Sequence, residues 1–188
     1  MATPIDFAVM GGMLQLLRDD RTDIGSLLDE TGNVPAATML RGVTMTRVTG
    51  DVSSYASLLA NLDKSEYVAA HEAMHGWAHD HIPFPGACFR QMVDWIVREN
   101  RLAENRVVTT RGALDFTSIG CPVMNAVGTA DHIVPIESNR AVLDIVPHVE
   151  DLMFDAGHVG LLLGKRAHGV SIPAMIDWIA QHSDRVQP

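Results

Sequence analysis

The run Pro122-Val123-Met124-Asn125-Ala126-Val127, closed by Gly128, limits most strongly what this chain can fold into. It carries no charge, is too short for an independent helix and stops at a turn residue. Those properties suit a strand buried on both faces, as strands of parallel sheets are. Val149 to Phe154 suits a second strand, and residues 136–146 between them suit a helix with Val142, Leu143 and Val146 inward. Pro173 fits the first turn of a last helix carrying Ala174, Ile176, Trp178 and Ile179. Strand, helix, strand, helix predicts a parallel βαβ unit with a right-handed crossover, and so an α/β fold class.

The chain ahead of this unit has a different character. Residues 1–50 mix short apolar runs with Gly11-Gly12, Gly25, Gly32 and Pro35, which predicts short helices separated by turns. Leu58, Leu59 and Leu62 suggest a short helix after Tyr55. Ser65 suits the N-cap of a longer one with Tyr67, Val68, Ala69 and Met74 along an apolar stripe. Pro83 and Pro85 end it, and Phe89, Met92, Val93, Ile96 and Val97 then recur at helical spacing. Val107-Val108-Thr109-Thr110 reads as a further short strand.

Two short loops carry candidate chemistry. Asp131 follows the first strand of the unit by four residues and His158 follows the second by four, 27 positions further along the chain. Reacting side chains of an open α/β sheet gather on the loops at the carboxyl ends of its strands, so both residues are expected at one edge. A carboxylate beside an imidazole fixes the ring tautomer and stabilises the imidazolium formed when the base takes a proton. Gly157 and Gly160 are expected to leave room for the turn that carries His158 back over the sheet. Asp155 is a rival acid, set too close to the histidine in sequence to reach the ring from the other side. Separately, Asp131 could simply turn its loop and His158 could be an ordinary loop histidine.

Composition removes several classes. The chain has 188 residues, 47% of them hydrophobic, enough for one globular domain with a real core. No stretch approaches the roughly 18 apolar residues of a membrane span, and Met1 is not followed by a basic and apolar leader. The net charge of −9, without a Lys/Arg cluster, disfavours nucleic acid as a partner. Cys88 and Cys121 are the only cysteines, which points to a reducing, cytoplasmic setting without a disulfide framework.

The segments Ile82-Pro83-Phe84-Pro85-Gly86-Ala87-Cys88-Phe89-Arg90-Gln91, Glu99-Asn100-Arg101-Leu102, Leu114-Asp115, Ile119-Gly120-Cys121-Pro122-Val123, Asp131-His132-Ile133-Val134-Pro135 and Gly157-His158-Val159-Gly160 occur in that order. Together they resemble the carboxyl-terminal part of polyhydroxyalkanoate synthases, most closely those of class III. Thr3-Pro4-Ile5-Asp6-Phe7 is similar to the segment that in this family follows the strand after the nucleophile. Trp77 and Asp80 match the family's W-x-x-D lid motif. The resemblance implies the C-terminal portion of an α/β-hydrolase fold. On that reading a helical lid or cap region covers 1–105, and a βαβα part of the core carrying acid and base covers 106–188. It further implies Asp131 as the acid, His158 as the general base, 3-hydroxyacyl-CoA as substrate class and no cofactor. Such enzymes use a cysteine thiolate, and related hydrolases a serine.

That nucleophile belongs in a G-x-[C/S]-x-G elbow, where small flanking residues permit a tight strand-to-helix turn. The sequence contains no such pentapeptide. Around Cys88, Arg90 stands where a small residue is required and prolines replace the preceding strand. Cys88 and Cys121 are therefore expected to be packing residues. The sheet is correspondingly short of strands, and an unpaired strand edge recruits another chain. Self-association, or a partner supplying the other half of the sheet, is expected. Whether the native product begins at Met1 bears directly on this.

Two other classes compete. His71-Glu72-Ala73-Met74-His75 fits H-E-x-x-H, with His81 at the distance of a third ligand. Ala78 stands where the longer metalloprotease pattern requires glycine, and no methionine turn is evident. The reading preferred here is a His-rich, solvent-facing helix without a resident metal. The chain could also be a noncatalytic binding or regulatory partner of a complete synthase or hydrolase.

Overall fold

The computed structural model describes residues 1–45 and 50–183. The end of the helix-and-turn stretch read over 1–50 includes residues 46–49, outside the described residues. Two compact units result: Gly11–Asp94, and Met1–Met10 together with Trp95–Pro188.

In Gly11–Asp94, helix α1 (Met13–Arg18) buries Leu17. A 3-10 turn at Ile24–Leu27 is capped by Asp23, whose Oδ1 accepts from the Gly25 amide at 2.8 Å. Strand β1 (Asn33–Val34) is followed by helices α2 (Ala36–Met45), α3 (Gly50–Leu59) and α4 (Ser65–His79). Strand β2 (Phe84–Pro85) returns antiparallel to β1, and α5 (Gly86–Met92) runs on into a π-helical turn, Val93–Arg98. Phe89, Val93 and Val97, four apart, are all buried, as the predicted helical periodicity requires.

Gly86 sits where β2 turns into α5. A Cβ there would lie 2.1 Å from the Gly32 carbonyl oxygen and 2.8 Å from Leu28 Cδ2. The backbone oxygen cannot yield cheaply. Gly86→Ala is expected to cost about 1–3 kcal/mol, the range for overpacking, read as a lower urea midpoint at unchanged helix content.

Three expectations for this unit need correction. The N-cap of α4 is Lys64, in extended conformation, and Ser65 is the first helical residue. No α4 side chain is buried: Val68 and Met74 are half-covered, while Tyr67 and Trp77 are exposed. The apolar positions are spread round the helix, so no single stripe can be covered at once. Cys88, expected to pack inside, is exposed, because the buried line of its helix runs through Phe89 instead.

In the other unit, Asn100 adopts a left-handed turn with φ 49° and pins the amino-terminal segment. Its Oδ1 accepts from the Phe7 amide at 2.8 Å and its Nδ2 donates to Asp6 Oδ1 at 2.9 Å. The Arg101 guanidinium lies 4.7 Å over the Trp95 ring. The Thr117 hydroxyl, with the Asn105 side-chain amide and the Thr117 backbone amide, holds the Asp115 carboxyl below the usual carboxylate range. Strands β3 (Val108–Thr109) and β4 (Gly112–Ala113) form their own hairpin around Thr110-Arg111. The strand read at 107–110 thus shrinks to a hairpin arm, because Gly112, at φ 119°, turns the chain straight back.

The parallel sheet is β5 (Val123–Gly128) beside β6 (Val149–Phe154), in register from Val123 opposite Val149 to Gly128 opposite Phe154. The crossover is helical but broken into α6 (Ile136–Arg140) and α7 (Val142–Ile145), where one continuous helix was predicted. The last four residues of β5 are buried, and Met153 of β6 is half exposed. Cys121, just before β5, is exposed and not a packing residue, since burial of this run starts only at Asn125. Along β5, the Ala2 amide donates to the Ala126 carbonyl at 2.9 Å. Helix α8 (Ile172–Gln181), with Pro173 in its first turn, buries Met175. Its Trp178 Nε1 donates to Glu150 Oε2 of β6 at 2.7 Å. The chain is a mixed helix-and-sheet protein with a small parallel sheet, in keeping with the α/β class.

Candidate acid–base site

Pairing between β5 and β6 continues past their carboxyl ends. The Thr129 amide donates to the Phe154 carbonyl at 2.8 Å and the Ala130 amide to the Ala156 carbonyl at 3.1 Å. Two loops distant in sequence are thereby zipped together, one leading to Asp131 and the other to His158. Gly128 makes this approach possible, because a Cβ there would lie 2.5 Å from the Ala156 carbonyl oxygen. At Gly157 and Gly160 a Cβ would meet only ordinary contacts, at 3.5 and 3.7 Å. The steric need for glycine therefore sits at the end of the first strand rather than beside the histidine.

Asp131 is fixed from two sides. Its Oδ1 accepts from the amides of Ile133 at 2.8 Å and Val134 at 2.9 Å, an Asx-type turn that leads into α6. Its Oδ2 lies 2.8 Å from His158 Nδ1. The Asp131 side chain is only 2% exposed, while that of His158 is 34% exposed. His158 opens a short 3-10 turn, Val159–Leu161, whose Leu161 is fully buried. The Ser171 hydroxyl donates to the Leu161 carbonyl at 2.6 Å and anchors that turn from below.

A carboxylate can only accept, so an ionised Asp131 accepts a hydrogen bond from the Nδ1–H of neutral His158, which leaves the lone pair on Nε2. This is the arrangement of a general base with its orienting acid. The two predicted residues are brought together, and Asp131 also has the loop-turning role considered as its alternative. The rival Asp155 points elsewhere, pairing with Arg166 at 2.9 Å in solvent.

The histidines of α4 form a ladder. His75 and His79 stack at 3.9 Å between ring centroids, and His71 lies 6.4 Å from His75. His71 Nε2 is 3.1 Å from the Ser54 hydroxyl, and His75 Nε2 is 3.3 Å from the Tyr55 hydroxyl. Among the described residues no three His, Cys, Asp or Glu side chains converge as metal ligands. Nor is any helix among them long and apolar enough to cross a membrane.

Comparison with known proteins finds similarity over nearly the whole chain. The poly(3-hydroxyalkanoate) polymerase subunit PhaC of Haloferax mediterranei is 29% identical over 188 residues, covering 98% of this chain and 38% of that protein. This chain is similar to PhaC. The PhaC subunit of Allochromatium vinosum is 27% identical over 95% of the chain and 51% of the subunit. That of Thiocystis violacea is 26% identical over 97% and 52%. The chain thus spans about half or less of the PhaC relatives it matches, corresponding to a carboxyl-terminal part of them. No family model and no solved structure matches it.

One contributor to the site was not singled out from sequence. The Gly128 requirement shows itself only as a glycine closing a strand.

Proposed function

We propose that the chain supplies the acid and base of a polyhydroxyalkanoate-synthase-like acyltransferase built on an α/β-hydrolase core, with 106–188 as the core part and 1–105 as a helical lid. The observation that carries this reading is the 2.8 Å contact between His158 Nδ1 and Asp131 Oδ2 at the carboxyl edge of a parallel strand pair. Similarity to PhaC supports the substrate class, 3-hydroxyacyl-CoA, and the sparse cysteines favour a cytoplasmic setting.

His158 Nε2 takes the proton of a cysteine thiol carried on a G-x-C-x-G elbow outside these 188 residues. The thiolate attacks the thioester carbonyl, and the tetrahedral adduct collapses with cleavage of the carbon–sulfur bond to coenzyme A. The imidazolium returns its proton to the departing thiolate. In the second half, His158 takes a proton from the hydroxyl of the growing chain, the alkoxide attacks the acyl-cysteine, and the proton passes back to the cysteine sulfur. Asp131 holds the ring in the required tautomer throughout. The backbone amide following the nucleophile, a usual oxyanion donor, belongs to the same missing elbow.

The chain alone is expected to release no coenzyme A from 3-hydroxybutyryl-CoA above a His158→Ala control, by thiol titration. Co-expressed with the polypeptide that bears the elbow, it should turn over. His158-dependent release by the chain alone would place the nucleophile within it, with Cys88→Ala the next variant. Reading the genomic frame upstream for G-x-C-x-G or G-x-S-x-G locates the elbow. The missing pentapeptide also favours one second reading, a noncatalytic partner of a complete synthase or hydrolase. Co-purification with such a protein, without turnover, would support that instead.

A further inference from the structure

Between β5, α6 and β6 lies a hydrogen-bonded cluster that the reaction does not use. Asn125 in β5 and Asn139 in α6 are 6% and 2% exposed. Asn125 Nδ2 donates to Asn139 Oδ1 at 2.8 Å and to Asp151 Oδ1 of β6 at 2.9 Å. The other oxygen of Asp151 accepts from Arg140 Nε at 2.5 Å. Asn139 Nδ2 donates to the Thr3 carbonyl at 3.2 Å. Two consecutive residues at the end of α6 are thereby stapled to both strands, and one of them also to the amino-terminal segment.

The placement matters because of what lies at the other end of α6. The Ile133 and Val134 amides that hold Asp131 Oδ1 immediately precede Pro135, the residue from which α6 starts. A displacement of α6 therefore moves those amides, and with them the carboxylate whose Oδ2 meets His158. Helix α6 is one turn long and cannot hold itself in place by its own backbone bonds. Buried amide networks with every partner satisfied select one arrangement, since any other leaves a desolvated polar group unpaired.

We propose that Asn139 is a positioning residue for the Asp131–His158 pair, acting through α6 and the Ile133–Val134 amides. The proposal rests on the acyltransferase reading for its functional meaning, but the geometry it concerns can be measured in the chain by itself. The experiment uses full-length chain labelled with 15N-histidine and reads the His158 ring nitrogens together with the low-field Nδ1 proton. Wild type is expected to show the Nδ1–H tautomer and the low-field signal, and Asp131→Asn to lose both.

Asn139→Leu, with the same side-chain branching and heavy-atom count but unable to hydrogen bond, is expected to lose them as Asp131→Asn does, with far-ultraviolet circular dichroism retained. A lower melting temperature with an unchanged His158 signal would make the cluster merely structural and overturn the proposal. Should Asn139→Leu fail to fold, the smaller Asn139→Ala takes its place, and it should weaken the low-field signal in a folded chain; an unchanged signal overturns the proposal. If wild type and Asp131→Asn are indistinguishable, no pair exists to be positioned and both readings fall. If Asn139→Leu breaks the pair but the complemented wild type transfers no acyl group, positioning stands and the functional reading alone fails.

Discussion

On the acyltransferase reading proposed above, Asp131→Asn is expected to reduce acyl transfer by the complemented enzyme about 10⁴-fold in kcat, the scale seen when an orienting carboxylate is replaced by its amide. The argument is one of donors and acceptors. Asp131 Oδ1 already accepts two backbone amides, from Ile133 and Val134, so an asparagine will place its oxygen there to keep them satisfied. Its NH2 group then faces His158 Nδ1, which must become the acceptor. The ring proton moves to Nε2, the atom that should receive a proton from the nucleophile. The fold should be nearly unaffected, since shape and loop bonds are kept. A preserved melting temperature with KM little changed and kcat collapsed is the predicted pattern. Activity within about tenfold of wild type would mean that another group orients the imidazole.

Gly128→Ala is the second large effect. The added methyl would sit 2.5 Å from the Ala156 carbonyl oxygen, a backbone atom two residues before His158. Relief can come only by separating the two loops, which strains the Thr129-to-Phe154 and Ala130-to-Ala156 bonds. Destabilisation of about 1–3 kcal/mol follows from overpacking, and a displacement near 1 Å at a catalytic group costs about 10²-fold in rate. Denaturant titration and acyl-transfer kinetics of the complemented enzyme measure the two separately. An alanine variant matching wild type in both would remove the steric role assigned to this glycine.

The elements that were legible from sequence are those in which local pattern and tertiary demand coincide. The uncharged run ending at Gly128 becomes a strand buried through its last four residues, and Pro173 does open the last helix. The proximity of Asp131 and His158 was legible because a parallel pair in register sends its outgoing loops to one edge. Where packing decides, the pattern was not enough. The 136–146 helix breaks at Ala141, between Ile136–Arg140 and Val142–Ile145. Exposure of α4, Cys88 and Cys121 depends on which surfaces the rest of the fold covers, and periodicity cannot carry that. The partners of Asn125 lie 14 and 26 residues away, with no local signature linking them.

Every contact between β5 and β6 joins residues on opposite sides of the crossover. Chain-closure entropy is therefore spent before the first of those contacts can form, which makes this pairing one of the slower events open to the polypeptide. The loops beyond the strands can close only afterwards. Formation of the imidazole–carboxylate contact thus marks a nearly finished native state, and during refolding it should arise together with the last protected amides of β5 rather than with the early helical signal.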